Sequence, residues 1–132
     1  MSPGHKADSP DCRATADILQ RIGDKWTVLV VVTLSEKPLR FSEIKRGING
    51  ISQRMLTLTL RGLERDGFVT RTVFPSVPPR VDYELTALGH SLRTPLSGIF
   101  DWARTHSQQI GAARLRHDAG EKPLEPFRRA AE

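Results

Sequence analysis

The sequence predicts a mainly α-helical chain carrying one small β-hairpin. Three observations lead there. Apolar residues recur at spacings of three and four from Ala14 to Leu63. After Gly67 the period drops to two in "FVTRTVF" and "RVDYELT", both rich in β-branched and aromatic residues. From Leu88 the helical spacing returns. With 132 residues the chain is long enough for one domain with a real core. Its 38% hydrophobic and 27% charged content fits an ordinary soluble protein.

The elements follow in order. Residues 1–10, "MSPGHKADSP", mix Pro, Gly, Ser and charges and read as a flexible arm. From Asp11 the pattern is helical, with Ala14, Ile18, Leu19 and Ile22 on one face. Gly23 can end this helix and Asp24 can cap the next. "KWTVLVVVTL" is β-branched enough for a strand, but it is long for one. Trp26, Leu29, Val30, Thr33 and Leu34 also make a helical stripe, so a buried helix is expected. Pro38 breaks the chain, and Leu39-Arg40 suits one short strand. Phe41, Ile44 and Ile48 share a face of a short helix, and "GING" (47–50) marks a turn.

"SQRMLTLTLRGLERDGF" (52–68) can be read two ways. Leu56-Thr57-Leu58-Thr59-Leu60 alternates like a strand. On a helical wheel of about 100° per residue, Leu56, Leu60 and Leu63 instead fall together. Arg54, Thr57, Leu58, Arg61 and Arg65 then fall opposite them. The helix accounts for Ser52 as N-cap and Gly67 as terminator, and it is the reading adopted. Two helices joined by a tight Gly-containing turn have the grammar of a helix-turn-helix. Residues 68–74 and 81–85 then pair as a hairpin around "PSVPP". Thr86 caps a last helix with Leu88, Leu92, Leu96, Ile99, Phe100 and Ala103 on its apolar stripe, kinked or split at Pro95. Residues 11–110 therefore form the domain, and 111–132 are expected to be a frayed or disordered tail.

Charge is unevenly placed. From Arg40 to Val81 eight cationic residues face only three acidic ones, Glu43, Glu64 and Asp66. Twelve of each sign cancel elsewhere, so the whole formal +5 lies in this third of the chain. Such a focus suits a phosphate backbone, and equally an ordinary solvated face.

Other classes of function lack their residues. The single cysteine, Cys12, excludes an intrachain disulfide. The four histidines, His5, His90, His106 and His117, have no metal-ligand spacing, so neither a metal nor another cofactor is expected. No Gly-rich phosphate loop or G-x-S-x-G elbow occurs. "MSPGHKADSP" is no signal peptide, and Val28–Leu34 is too short to span a bilayer. A cytoplasmic protein with no membrane partner is expected.

A cationic helix after a tight turn fits the DNA major groove, where Arg can grip guanine O6 and N7 with two hydrogen bonds. Gln53, Arg54 and Thr57 are near its N-terminus and best placed for base edges, with Ser52 on the same groove-facing end; Arg61 is placed for phosphate. In the hairpin, Arg71 is a candidate phosphate contact, and Arg80, after stiffening Pro75, Pro78 and Pro79, is a candidate minor-groove residue. The bland alternative is a hairpin that only covers the core.

"GDKWTVLVVVTL", "RFSEIKRGINGISQRMLTLTLRGLERDGFVTRT" and "PSVPPRVDYELTALGHSL" together resemble the HxlR-type regulators, which are bacterial winged helix-turn-helix proteins related to the MarR group. The resemblance runs from about Cys12 to Trp102. It implies a winged helix-turn-helix with extra N- and C-terminal dimerisation helices. It further implies a homodimeric transcriptional regulator, a repressor, on double-stranded operator DNA. The helix from Ser52, with Leu58 on its outer face, would lie in the major groove. The wing and backbone contacts would come from Arg40, Ser42, Arg71 and Arg80. Ile18, Leu92, Leu96, Ile99, Phe100 and Trp102 would lie at the dimer interface. Members of this type respond to small electrophiles or metabolites, several through a cysteine at the start of the first helix, where Cys12 stands.

Two positions depart from the pattern. Arg13 replaces a frequent Pro, and Leu58 replaces a frequent polar residue. Leu58 can touch a thymine methyl group or lie on the rim of the contact. For Cys12, a helix N-terminus and Arg13 favour a reactive thiolate while Asp11 opposes it. A small apolar residue at an interface is the alternative. A winged helix that binds protein rather than DNA is the competing function. A Cys12-based enzyme has no residue to serve as its base.

Overall fold

The computed structural model describes residues 9–128 and 130. Of the expected arm, residues 1–8 lie outside the described residues, as do 129, 131 and 132 of the expected tail. Among the described residues there are six helices and one three-stranded sheet. Residues up to Ser97 form one compact unit and those from Gly98 a second.

Helix α1 spans Pro10–Ile22. It starts at Pro10 because Ser9 Oγ accepts from the Cys12 N–H at 3.1 Å and proline suits the first helical position. Gly23 closes it, its N–H donating to Leu19 O at 2.8 Å. Helix α2, Lys25–Thr33, is capped by Asp24, which accepts from the Thr27 N–H at 3.3 Å. Its buried line is Thr27, Val30, Val31 and Leu34, turned by one residue from the expected Trp26, Leu29, Val30, Thr33 and Leu34. Trp26, Leu29 and Thr33 are only partly buried. The segment is apolar nearly all round, so its periodicity carries little contrast from which to choose a face.

Strand β1 (Leu39–Arg40) leads into α3 (Phe41–Gly47). The Glu43 carboxylate accepts from the Arg40 N–H at 2.8 Å and fixes that junction. The turn after α3 passes through Gly50, whose φ of 86° favours glycine. Helix α4, Gln53–Arg65, starts on Ser52, whose Oγ accepts from the Met55 N–H at 3.0 Å. It ends in a Schellman closure. Gly67 (φ 85°) donates to Glu64 O at 3.1 Å, and Phe68 donates to Leu63 O at 2.9 Å. The stretch 52–68 is therefore helical through Arg65. Its buried side is Leu56, Thr59, Leu60, Gly62 and Leu63.

Strands β2 (Val69–Phe74) and β3 (Arg80–Leu85) form the hairpin, and β1 adds to β3, giving the antiparallel order β1-β3-β2. Val69 and Leu85 pair at its base and enter the core with Val30, Ile44, Leu56 and Leu60. The hairpin thus grows from the core of the helix-turn-helix, and the architecture is a winged helix.

Thr86 joins the hairpin to the C-terminal helices. Its hydroxyl donates to Gly67 O at 2.6 Å and accepts from the Gly89 N–H at 3.0 Å. Helix α5 (Ala87–Ser91) is separated from α6 (Arg93–Asp118) at Leu92. The split expected at Pro95 thus occurs three residues earlier. Pro95 sits in the first turn of α6, where an N–H has no partner within the helix. Helix α6 also corrects the expected end of order near residue 110, since it continues to Asp118. In the second unit Trp102 and His106 stack at 4.6 Å on this helix. Beyond it the Arg116 guanidinium donates to Lys122 O at 3.0 and 2.8 Å, holding a reversal of the chain.

Candidate nucleic-acid interface

Helix α4 is held by its apolar side, which leaves Gln53, Arg54, Leu58 and Arg61 exposed on the other. Leu58 keeps 49% of its surface in water. Arg54 and Arg61 have no hydrogen bond or ion pair among the described residues. Two hydroxyls expected on this face already have structural roles. Ser52 Oγ accepts from Met55 as the N-cap, and half-buried Thr57 donates its proton to Gln53 O at 2.9 Å. Thr57 Oγ1 can therefore accept but has no proton left to give. Arg65, the third arginine of the expected stripe, borders a different groove, beside Arg21, Asp66 and Phe68.

Arg40 and Ser42 are both exposed, at the junction of β1 and α3. In the wing, the strand pleat sends Arg71 and Arg80 to opposite faces. Arg71 pairs across the sheet with Tyr83, and Arg80 pairs with Phe74. The Arg80 guanidinium stacks over the Phe74 ring at 4.3 Å, and its Nε lies 3.4 Å from Asp82 Oδ1. Arg80 thus lies along the wing rather than reaching past its tip.

Arg71 faces α4. Its Nε is 3.9 Å from Glu64 Oε2, and with Thr57, Leu60, Arg61 and Tyr83 the two residues line a cavity of about 270 Å³. Burial raises the Tyr83 hydroxyl above its ordinary pKa of 10.0; Arg71 and Arg61 oppose that rise and Glu64 adds to it. Neither Tyr83 nor Glu64 was singled out in the sequence. The signal was there in part, since Thr57, Leu60, Arg61 and Glu64 stand at i, i+3, i+4 and i+7. The facing partner depends on strand register, which spacing along α4 does not reveal.

The residues expected at a dimer interface divide. Leu96 is 1% exposed and belongs to the core of its own unit, with Leu92 partly buried against it. Leu96 is thereby corrected, since the start of α6 covers the winged helix, while Leu92 keeps part of its surface on the groove shared with Ile18 and Leu88. Ile18, Ile99, Phe100 and Trp102 remain exposed. Cys12 is half-buried in the first turn of α1 and is a free thiol. Among the described residues no group of His, Cys, Asp and Glu could hold a metal ion.

Residues 21–111 match the HxlR-like helix-turn-helix family. The chain belongs to that family. An uncharacterized HTH-type transcriptional regulator of Methanothermobacter thermautotrophicus is 47% identical over 96 residues, covering 70% of this chain and 73% of the relative. Among solved structures, the redox regulator HypR in its reduced form superposes with a TM-score of 0.68 at 35% identity. That match covers 75% of this chain and 98% of HypR. Diamide-treated YodB from B. subtilis superposes with a TM-score of 0.61 at 32% identity, covering 76% and 96% of the two chains. This HxlR-like protein is thus a transcriptional regulator by family. Among its described residues no helix is long and apolar enough to cross a membrane.

Proposed function

We propose that this HxlR-like regulator is a cytoplasmic homodimer that represses transcription by binding specific double-stranded operator DNA. The observation that carries the reading is the outer face of α4, where Gln53, Arg54 and Arg61 stand free on a helix whose other side is locked into the core. Arg54 and Gln53, near the helix N-terminus, read base edges, and Arg61 meets phosphate. Arg40, Ser42 and Arg71 add backbone contacts. Arg80 reaches the minor groove after releasing Phe74 and Asp82. Ile18 on α1, and separately Ile99, Phe100 and Trp102 on α6, supply surface for self-association, since all four leave large apolar area in water.

Cys12 is the candidate sensor of a small electrophile or oxidant. Its support is the redox function named for HypR and its own partly accessible place in the first turn of α1. With one cysteine per chain, oxidation gives a bond to another chain, a small-thiol adduct or a higher oxidation state. The test is selection of bound duplexes from a random pool, with and without diamide, for the native chain and Cys12→Ala. The reading predicts paired half-sites roughly 34 Å apart. It also predicts that oxidation alters the binding of the native chain only. Enrichment of no sequence would overturn operator recognition, and an equal diamide response in Cys12→Ala would overturn the sensor.

A further inference from the structure

The cavity between α4 and the wing has a composition that a solvated surface does not require. Two arginines reach it from different elements, Arg61 from the helix and Arg71 from β2. The Tyr83 hydroxyl joins them from the central strand and has no hydrogen-bond partner among the described residues. The one anion lining it among the described residues, Glu64, approaches Arg71 only to 3.9 Å, too far for a hydrogen bond. Three donors therefore converge on a space whose internal counter-ion satisfies none of them closely. Cross-strand pairing of Arg71 with Tyr83 fixes two of the three on one rigid surface.

We propose that this cavity is a clamp for a single DNA phosphodiester, with Tyr83 as its neutral donor and Glu64 as a resident counter-ion that the phosphate displaces. Its ligand is a tetrahedral oxyanion, held by charge from Arg61 and Arg71 and by one O–H from Tyr83. Burial shifts the hydroxyl further from ionisation, so Tyr83 stays a donor. Glu64 repels the phosphate that Arg71 attracts, so non-specific contacts along the duplex are weakened. Only a duplex held by the base contacts of α4 brings a phosphate close enough to take its place. The clamp would tie the pose of the wing to that of the helix. It rests on the reading of α4 as a DNA-binding helix.

The test measures binding of a selected operator duplex by fluorescence anisotropy across a salt series. It uses the full-length native chain, Tyr83→Phe, Arg71→Gln, Glu64→Gln and Arg54→Ala, with folding checked by circular dichroism. Tyr83→Phe should weaken binding about tenfold and leave the salt slope unchanged, since it removes a donor but no charge. Arg71→Gln should weaken binding and lower the slope by about 0.9. Glu64→Gln should tighten binding to random duplex more than binding to operator, narrowing the ratio between them. If Tyr83→Phe and Glu64→Gln bind as the native chain does while Arg54→Ala is impaired, the clamp is wrong and the DNA reading stands. If the native chain binds no duplex, the underlying reading fails with it. A parallel titration with inorganic phosphate separates a free anion from the DNA backbone. Weak, Tyr83-dependent binding of phosphate supports the clamp. Tight phosphate binding, with DNA affinity unchanged in Tyr83→Phe, would make the cavity a free-anion site and overturn it.

Discussion

The Arg21 guanidinium of α1 lies across Gly62 of α4 and donates to Asp66 Oδ2 at 2.8 Å. A Cβ at residue 62 would collide with that guanidinium, so the crossing needs glycine in the middle of an amphipathic helix. The contact links the first helix, which carries Cys12, to the C-terminal end of the proposed recognition helix.

Gly62→Ala should therefore have two opposing effects. Alanine favours the helix by about 1 kcal/mol, while displacing a partly exposed ion pair loses roughly 0–1 kcal/mol. The coupling is more informative than the net change. Arg21→Ala should cost stability in the native background and almost nothing in Gly62→Ala. Urea denaturation of the two single variants and the double variant measures this; additive effects would mean that the crossing contributes nothing.

Gly89 in α5 has a stricter neighbour. A Cβ there meets the carbonyl oxygen of Phe68, which is backbone and cannot swing aside. Gly89→Ala should destabilise the fold by about 1–3 kcal/mol. Chemical denaturation checks it, and a native midpoint would refute the close approach.

Ser52 caps α4. Ser52→Ala should lower stability by about 0.5–2 kcal/mol. Ser52→Asp should recover the cap, because aspartate accepts the same N–H, yet bind DNA less well because it places a negative charge at the groove. Thermal melts and operator titrations on the two variants separate the capping role from the binding role.

Leu58 is exposed among the proposed DNA contacts. Leu58→Ala should leave folding and the salt slope unchanged and relax preference for thymine at one operator position, the outcome expected of a methyl contact. Selection of bound sequences with this variant reads it directly. An unchanged motif would assign Leu58 to the rim.

The helix-turn-helix was legible in the sequence because its signals agree. Ser52 caps α4, Leu56, Leu60 and Leu63 share its buried face, and Gly67 ends it. The hairpin was legible from its change of period. The buried face of α2 was not, since a segment of valines and leucines is apolar whichever side turns inward. Leu92 and Leu96 lie on the same stripe as Ile99 and Phe100, and only packing tells which of these enter the core and which stay in water. The cavity formed with the wing was hidden for a similar reason. Arg71 and Tyr83 are twelve residues apart and meet only through strand register. The continuation of α6 to Asp118 was masked by an Ala- and Arg-rich composition without an apolar stripe.

The central claim is that the free face of α4 binds DNA. Its most direct test is the Arg54→Ala/Arg61→Ala double variant, titrated against a selected operator over a range of salt concentrations, with the fold verified by circular dichroism. The account predicts an intact fold, affinity reduced at least tenfold, and a salt slope lower by roughly 0.9 for the lost phosphate contact of Arg61. A folded double variant that binds with native affinity and native slope would contradict it.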